Sequence, residues 1–293
     1  MRAPPESRSP LRGDVRVDEE GFTYVPRFIS QADAEALVAY FNGLHPVWES
    51  RYAEGDPRNR GSKSRLTRPV YWLGAWQFAG LGYYAPPEHV DDRCVRAEPF
   101  PPVFKRVLEA LRPVLAAHGD TELPNTCLIN YYGSERLDPN GPPVDYARLR
   151  LHRDAEPGAV AMFSIGQPAQ FEFAMPDGSV PEHSQWVRNR SIVVISGDEY
   201  KDRLYHRITR VRHGQDPVLT TPLDAFHVRR VSVSFRHVPE SAITDLGELT
   251  SEAQSVALPY VQRLAEHSEH WQNQLRSMPS ATASTATRST PSR

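Results

Sequence analysis

The chain has 293 residues, 39% of them hydrophobic and 24% charged, which is enough for one substantial core or two small ones. No apolar run reaches the roughly 18 residues of a membrane helix, nothing in the opening MRAPPESRSPLRG resembles a signal peptide, and Cys94 and Cys127 are too few for a disulfide framework or a cysteine-rich zinc site. A formal net charge of −2 argues against gripping long nucleic acid by bulk electrostatics, so the expectation is a soluble, cytoplasmic monomer with free thiols, no membrane association and no obligate protein partner.

Residues 1–15 are rich in Pro, Arg and Ser without periodicity, and both they and the Ser/Thr/Ala/Pro tail at 278–293 are expected to be disordered. A catalytic domain is expected over 16–240, followed by a partly helical extension over 241–277. FTYVPRF reads as a short strand. Ser30, with Asp33 three residues on, reads as the cap of a helix whose Leu37, Val38, Phe41 and Leu44 share a face. Arg58, Arg60, Lys63, Arg65 and Arg68 then form a basic cluster, readable as a phosphate-facing surface or as solvated loop charge. A second helix starts near Pro102 and repeats apolar residues at Phe104, Val107, Leu108, Leu111 and Leu115. Both helices are expected to back a sheet.

From Thr126 the pattern changes to short strands: CLINYY, RLRLHRD, VAMFSIG, AQFEFA, SIVVIS and VRRVSVSFRHV, separated by Pro-, Gly- and Asp-rich turns. Strands without alternating helices predict an α+β, mainly β fold, a two-sheet jelly roll supported by the N-terminal helices. A last helix from about Ser251 to Ser277 is expected to be interrupted at Pro259. Basic residues at Arg207, Arg210, Arg212, Arg229 and Arg230 form a second cluster, open to the same two readings as the first.

A non-heme iron site that activates oxygen needs two imidazoles and one carboxylate, with other coordination positions left open. His-x-acid is its sign, but 11 His and 36 acidic residues in 293 predict about 1.4 chance matches, and the chain has four. His152 and Asp154 end a strand-like run, where residues two apart point to one side. His89/Asp91 lies in a Pro-rich loop, His118/Asp120 at a helix end and His267/Glu269 in a helical stretch, and these read as solvated surface. In Arg230-Val-Ser-Val-Ser-Phe-Arg236, Arg230, Ser232, Ser234 and Arg236 share one face and Val231, Val233 and Phe235 the other. A strand-held Arg suits the distal carboxylate of 2-oxoglutarate, although arginines also end ordinary half-exposed strands.

NYY, LHRDAE, DRLYHRI and RVSVSFRHV occur in the order and approximate spacing seen in the AlkB family, and residues 20 to 238 resemble it. The resemblance implies a double-stranded β-helix (jelly roll) dioxygenase that uses Fe(II), 2-oxoglutarate and O2. Its iron ligands would be His152, Asp154 and His206, the last 54 residues beyond His152. Asn130, Tyr132 and Ser232 would line the 2-oxoglutarate site, Arg230 would pair the distal carboxylate, and Arg236 would brace the metal end. Glu156 resembles the acidic position near the exocyclic amine of a target base, with a solvated Glu as the alternative. The segment from Tyr71 to Pro86 looks like the nucleotide-recognition lid, with Trp76 first and Tyr84 second as base platforms, unless its aromatics are core.

The implied reaction is oxidative dealkylation of N-alkylated DNA or RNA, releasing succinate, CO2 and an aldehyde. The same centre acting on a protein, lipid or small molecule is the alternative. Two departures from the family stand out: about a dozen extra residues between Tyr132 and His152, expected to cover or narrow the mouth of the site, and Ser232 in place of an amide.

Overall fold

The computed structural model describes residues 16–52, 63–65, 68–77, 94–154, 156–178 and 181–278. The N-terminal part forms β1 (Val17–Glu19), β2 (Phe22–Val25), helix α1 (Gln31–Gly43) and the short strands β3 (Ser50–Tyr52), β4 (Lys63–Arg65), β5 (Val70–Leu73) and β6 (Ala75–Trp76). After β7 (Cys94–Arg96) and α2 (Pro102–Ala117) come β8 (Thr126–Glu135), β9 (Val144–Asp145), β10 (Leu149–His152), β11 (Val160–Gly166), β12 (Ala169–Ala174) and β13 (Pro181–Val187). β14 (Ile192–Ile195), a π-helix at Asp198–Arg203, β15 (Tyr205–Val211) and β16 (Phe226–Arg236) complete the β half, and β17 (Ile243–Thr244), α3 (Ser251–Ala265) and α4 (Glu269–Ser277) follow.

The expected jelly roll is present as two antiparallel sheets. The larger runs β1-β2-β14-β11-β16-β8-β5, with β9 added to β8, and the smaller runs β10-β15-β12-β13. Period-two alternation gives the large sheet two apolar faces. On one face Phe22, Tyr24, Tyr132, Val160, Met162, Val193 and Ile195 meet Phe171, Phe173, Val187 and Ile208 of the smaller sheet. On the other, Phe163, Val231, Val233 and Phe235 meet Leu37 and Phe41 of α1 and Phe104, Val107, Leu108 and Leu111 of α2. The site lies on the first face, toward the smaller sheet.

The helix starts follow the sequence. The Ser30 hydroxyl accepts from the Asp33 backbone N–H at 3.0 Å, and Pro102 opens α2, where a missing N–H costs nothing. The C-terminal helix differs from expectation. Pro259 sits inside an unbroken α3, and the break falls at residues 266–268, where the Ser268 side chain caps α4. Ala257, Val261, Leu264 and Trp271 are buried against the same core as α1 and α2, and this packing offsets the hydrogen bond that proline removes.

Trp76 is a correction. It is 1% exposed, stands edge-on to Trp271 at 5.4 Å, and donates its indole N–H to Glu49 Oε1 at 2.8 Å; Trp72 donates to the same oxygen at 3.0 Å. A buried carboxylate held by two indoles locks both rings into the core, leaving Trp76 no face on which to stack a base. Tyr84 lies outside the described residues. Replacing Trp76 with Ala is expected to lower the free energy of unfolding by about 3–5 kcal/mol, read from urea denaturation. A variant as stable as wild type that bound alkylated oligonucleotide more weakly would return Trp76 to the substrate site.

Candidate metal centre

The site is assembled where the two sheets come together. β10 pairs with β15 so that His152 stands directly opposite His206, and β15 pairs with β12 so that His206 stands opposite Phe173. The β10–β15 register shifts between Leu149 and His152, an irregularity that turns His152 inward opposite its partner. The ring of His206 stacks on Phe171 with centroids 5.4 Å apart, and the His152 and His206 rings lie 4.2 Å apart. Asp154 follows two residues after the end of β10.

One ligand atom from each of His152, Asp154 and His206 lies within 4.8 Å of the others, the one such cluster of three among the described residues. The donor set is two imidazoles and a carboxylate, the chemistry of a facial triad with open positions. His152 Nδ1 lies 2.9 Å from the Arg150 carbonyl; that carbonyl can only accept, so Nδ1 carries the proton and Nε2 keeps its lone pair. Asp154 has its Oδ1 held by Arg236 at 2.5 and 3.1 Å, while Oδ2 lies 3.4 Å from His206 Nε2. One carboxylate oxygen is thus committed to the protein and the other faces the imidazoles.

Electrostatics favours the states a metal needs. Burial lowers the affinity of both histidines for protons, assisted at His206 by the neighbouring His152 and Arg236 and at His152 by Arg68 and Arg236; His206 falls from its ordinary 6.5 to about 3. Burial alone would raise the Asp154 carboxyl, but Arg236 and the two imidazoles outweigh it and hold it well below the usual carboxylate range. Both imidazoles are neutral and the carboxylate ionised at pH 7, as metal ligation requires. Glu156 behaves oppositely: burial pushes its carboxyl up, although its Oε1 lies 3.3 Å from Arg236 Nε. Its backbone carbonyl accepts from the buried Lys201, which reaches over from the π-helix preceding β15.

The second part of the site runs along β16. In register, Arg230 lies beside Tyr132 and Ser232 beside Asn130 on β8, while Ser232 lies beside Ser164 on β11. All five side chains are buried. The β8–β16 register shifts between Val228 and Arg230, which sends Arg229 to an ion pair with Asp145 and aims Arg230 into the pocket. Gly133 allows the close approach there, since a Cβ would lie 2.0 Å from the His227 carbonyl oxygen. Arg230 donates to Ser164 Oγ at 2.7 Å, and its Nε and Nη1, both buried, have no hydrogen-bond partner among the described residues. A buried guanidinium with two idle donors is strongly disfavoured unless an anion meets it, and a planar carboxylate presents matching acceptors. The pocket therefore fits the distal carboxylate of 2-oxoglutarate.

Sequence reasoning missed several neighbours. Arg68, read as part of a basic surface cluster, is 8% exposed and donates through Nε to Asn130 Oδ1 at 2.7 Å. Lys201, Ser164 and the strand carrying His206 were also not anticipated, because charged residues inside a short segment hide its periodicity. Of the other His-x-acid pairs, His118 is no solvated residue: it bridges Ser196 Oγ at 2.6 Å and Thr23 Oγ1 at 2.9 Å. His267 stacks on His45 at 3.6 Å, and His89/Asp91 lies outside the described residues. The extra residues after Tyr132 extend β8, return as β9 and bury Ala147 beside Tyr132, with Asp145 tied to Arg229.

Residues 21–236 match the family described as the 2OG-Fe(II) oxygenase superfamily. The chain belongs to that superfamily, and is accordingly an oxidoreductase that uses Fe(II), 2-oxoglutarate and O2. No curated protein matches it significantly. Among solved structures, "The structure of OsALKBH1" aligns with 76% of this chain and 99% of its own at 17% identity, with a TM-score of 0.46. An oxidoreductase of the 2OG-Fe(II) oxygenase family from Burkholderia pseudomallei aligns with 73% of this chain and 84% of its own at 13% identity, with a TM-score of 0.43. No helix among the described residues is long and apolar enough to cross a membrane.

The depressed affinity of His206 for protons carries a stability signature. Between its folded value of about 3 and its ordinary 6.5, the unfolded chain binds a proton that the folded one refuses, so stability falls as pH falls through that window. Metal-free wild type is expected to lose more stability between pH 7 and pH 5 than His206→Gln, read from urea midpoints. Equal losses would mean that His206 is not held neutral by burial.

Proposed function

We propose that this chain oxidatively dealkylates N-alkylated bases of DNA or RNA, with His152, Asp154 and His206 holding the iron. When bound, Fe(II) with 2-oxoglutarate and O2 supplies the oxidising chemistry: the cosubstrate is converted to succinate and CO2 while the alkyl carbon is hydroxylated and then lost as an aldehyde. The chain's own residues do the rest. Asn130, Tyr132 and Ser232 line the cosubstrate pocket and Arg230 takes the distal carboxylate, fixing which end of the molecule reaches the metal. Arg236 holds Oδ1 of Asp154, leaving Oδ2 as the ligand atom.

The observation that carries the nucleobase reading is Glu156. It is a buried carboxyl group two residues beyond Asp154, ion-paired with Arg236, the same cation that holds Asp154. It occupies the position that resembles the acidic residue near the exocyclic amine of the target base in the AlkB family, and it lies beside Arg236 at the metal end of the site. One observation favours the alternative reading, an oxygenase of a protein, lipid or small molecule: the burial of Trp76 removes the aromatic first expected to stack a base.

The two readings separate when Fe(II)-loaded protein is given 2-oxoglutarate, O2 and a methylated single-stranded oligonucleotide, and succinate and formaldehyde are followed together. Coupled release of both is expected. Succinate without formaldehyde would redirect the search to other substrates. His152→Ala and Asp154→Ala are each expected to lower turnover at least about 100-fold and to weaken Fe(II) binding, and normal iron-dependent activity in either would refute the ligand assignment.

A further inference from the structure

We infer that Arg68 is a positioning residue of the cosubstrate pocket: it orients the Asn130 carboxamide. The inference rests on the reading of Asn130, Tyr132 and Arg230 as the 2-oxoglutarate site.

The backbone brings Arg68 there. β5 pairs with β8 so that Val70 lies beside Asn130, and the Tyr131 N–H donates to the Pro69 carbonyl at 3.1 Å. Continuing the antiparallel pairing backwards brings Arg68 level with Tyr132, which in turn lies level with Arg230 on the next strand. The two guanidinium carbons stand 5.6 Å and 5.0 Å from the centroid of the Tyr132 ring. Both arginines are buried, at 8% and 2% exposure.

The hydrogen bond decides the orientation of Asn130. A guanidinium has donors only, so the atom 2.7 Å from Arg68 Nε must be the amide oxygen of Asn130, and the amide NH2 is turned the other way. An asparagine without this contact can flip, offering the pocket an acceptor where a carboxylate oxygen needs a donor. Arg68 thereby contributes to cosubstrate affinity through Asn130.

The test is calorimetric titration of 2-oxoglutarate into anaerobic Mn(II)-loaded protein, which reads binding without turnover. Arg68→Met and Asn130→Ala are each expected to raise Kd for 2-oxoglutarate about tenfold, about 1.4 kcal/mol. If Arg68 acts through Asn130, the double variant is no worse than about the weaker single one. Arg68→Lys, which keeps the charge but loses the Nε–H contact, is expected to stay several-fold weaker than wild type, and it carries the test should Arg68→Met not fold. Mn(II) affinity is expected to be unchanged throughout, which a merely structural defect would not spare. Wild-type affinity in Arg68→Met, or losses that multiply in the double variant, would overturn the inference. Arg230→Met serves as the control: if it too bound 2-oxoglutarate normally, the pocket reading itself would be at fault, whereas weak binding by Arg230→Met beside normal binding by Arg68→Met would remove Arg68 alone.

Discussion

Strand β16 must satisfy two environments at once, and the rest of the molecule is arranged around that constraint. Alternation sends Val231, Val233 and Phe235 toward α1 and α2, while Arg230, Ser232, Ser234 and Arg236 face the smaller sheet. Flanked by β8 and β11, the strand is paired along both edges, so neither arginine can swing into solvent. Each must find its partner inside, and the partners are the site. Arg236 meets Asp154 and Glu156, and Arg230 meets Ser164 and the Tyr132 ring.

The charge balance along this strand differs between its ends. Near Arg236, the carboxylates of Asp154 and Glu156 face two cations, Arg236 and Lys201, beside two neutral imidazoles. Breaking one member of such a buried set strands the other, at a cost of about 3–5 kcal/mol. Near Arg230 the balance tips toward positive charge, with a second arginine on the far side of Tyr132. A metal cation suits the first end and a carboxylate anion the second, and a ligand that is bound to the metal and carries a distant carboxylate spans both.

The layer behind the large sheet supports this face without contributing chemistry. Trp72 and Trp76 share the Glu49 carboxylate, Trp76 packs against Trp271 of α4, and α3 closes over the same cluster. The C-terminal helices are thus part of the domain's core, continuous with the helices that precede the β half.

Features that depend on local order are legible in the amino-acid sequence. The alternation of β16, the pairing of His152 with Asp154 at a strand end, and the Ser30 and Pro102 helix starts are written in neighbouring residues, because strand and helix periodicities act over a few positions. The resemblance to the AlkB family pointed to His206, Asn130, Tyr132 and Arg230, yet the strand that carries His206 was hidden by its arginines. Tertiary structure alone decided which aromatics are core and which cations are buried. Trp76 and Arg68 lie in segments whose composition suggests a surface lid and a basic patch, but pairing of β6 with β7 places one in the core and pairing of β5 with β8 draws the other into the pocket. Pro259 reads as a helix breaker until Ala257, Val261 and Leu264 are packed on either side of it. Such outcomes depend on contacts between residues tens to hundreds of positions apart, and burial energy from those contacts overrides the local preference.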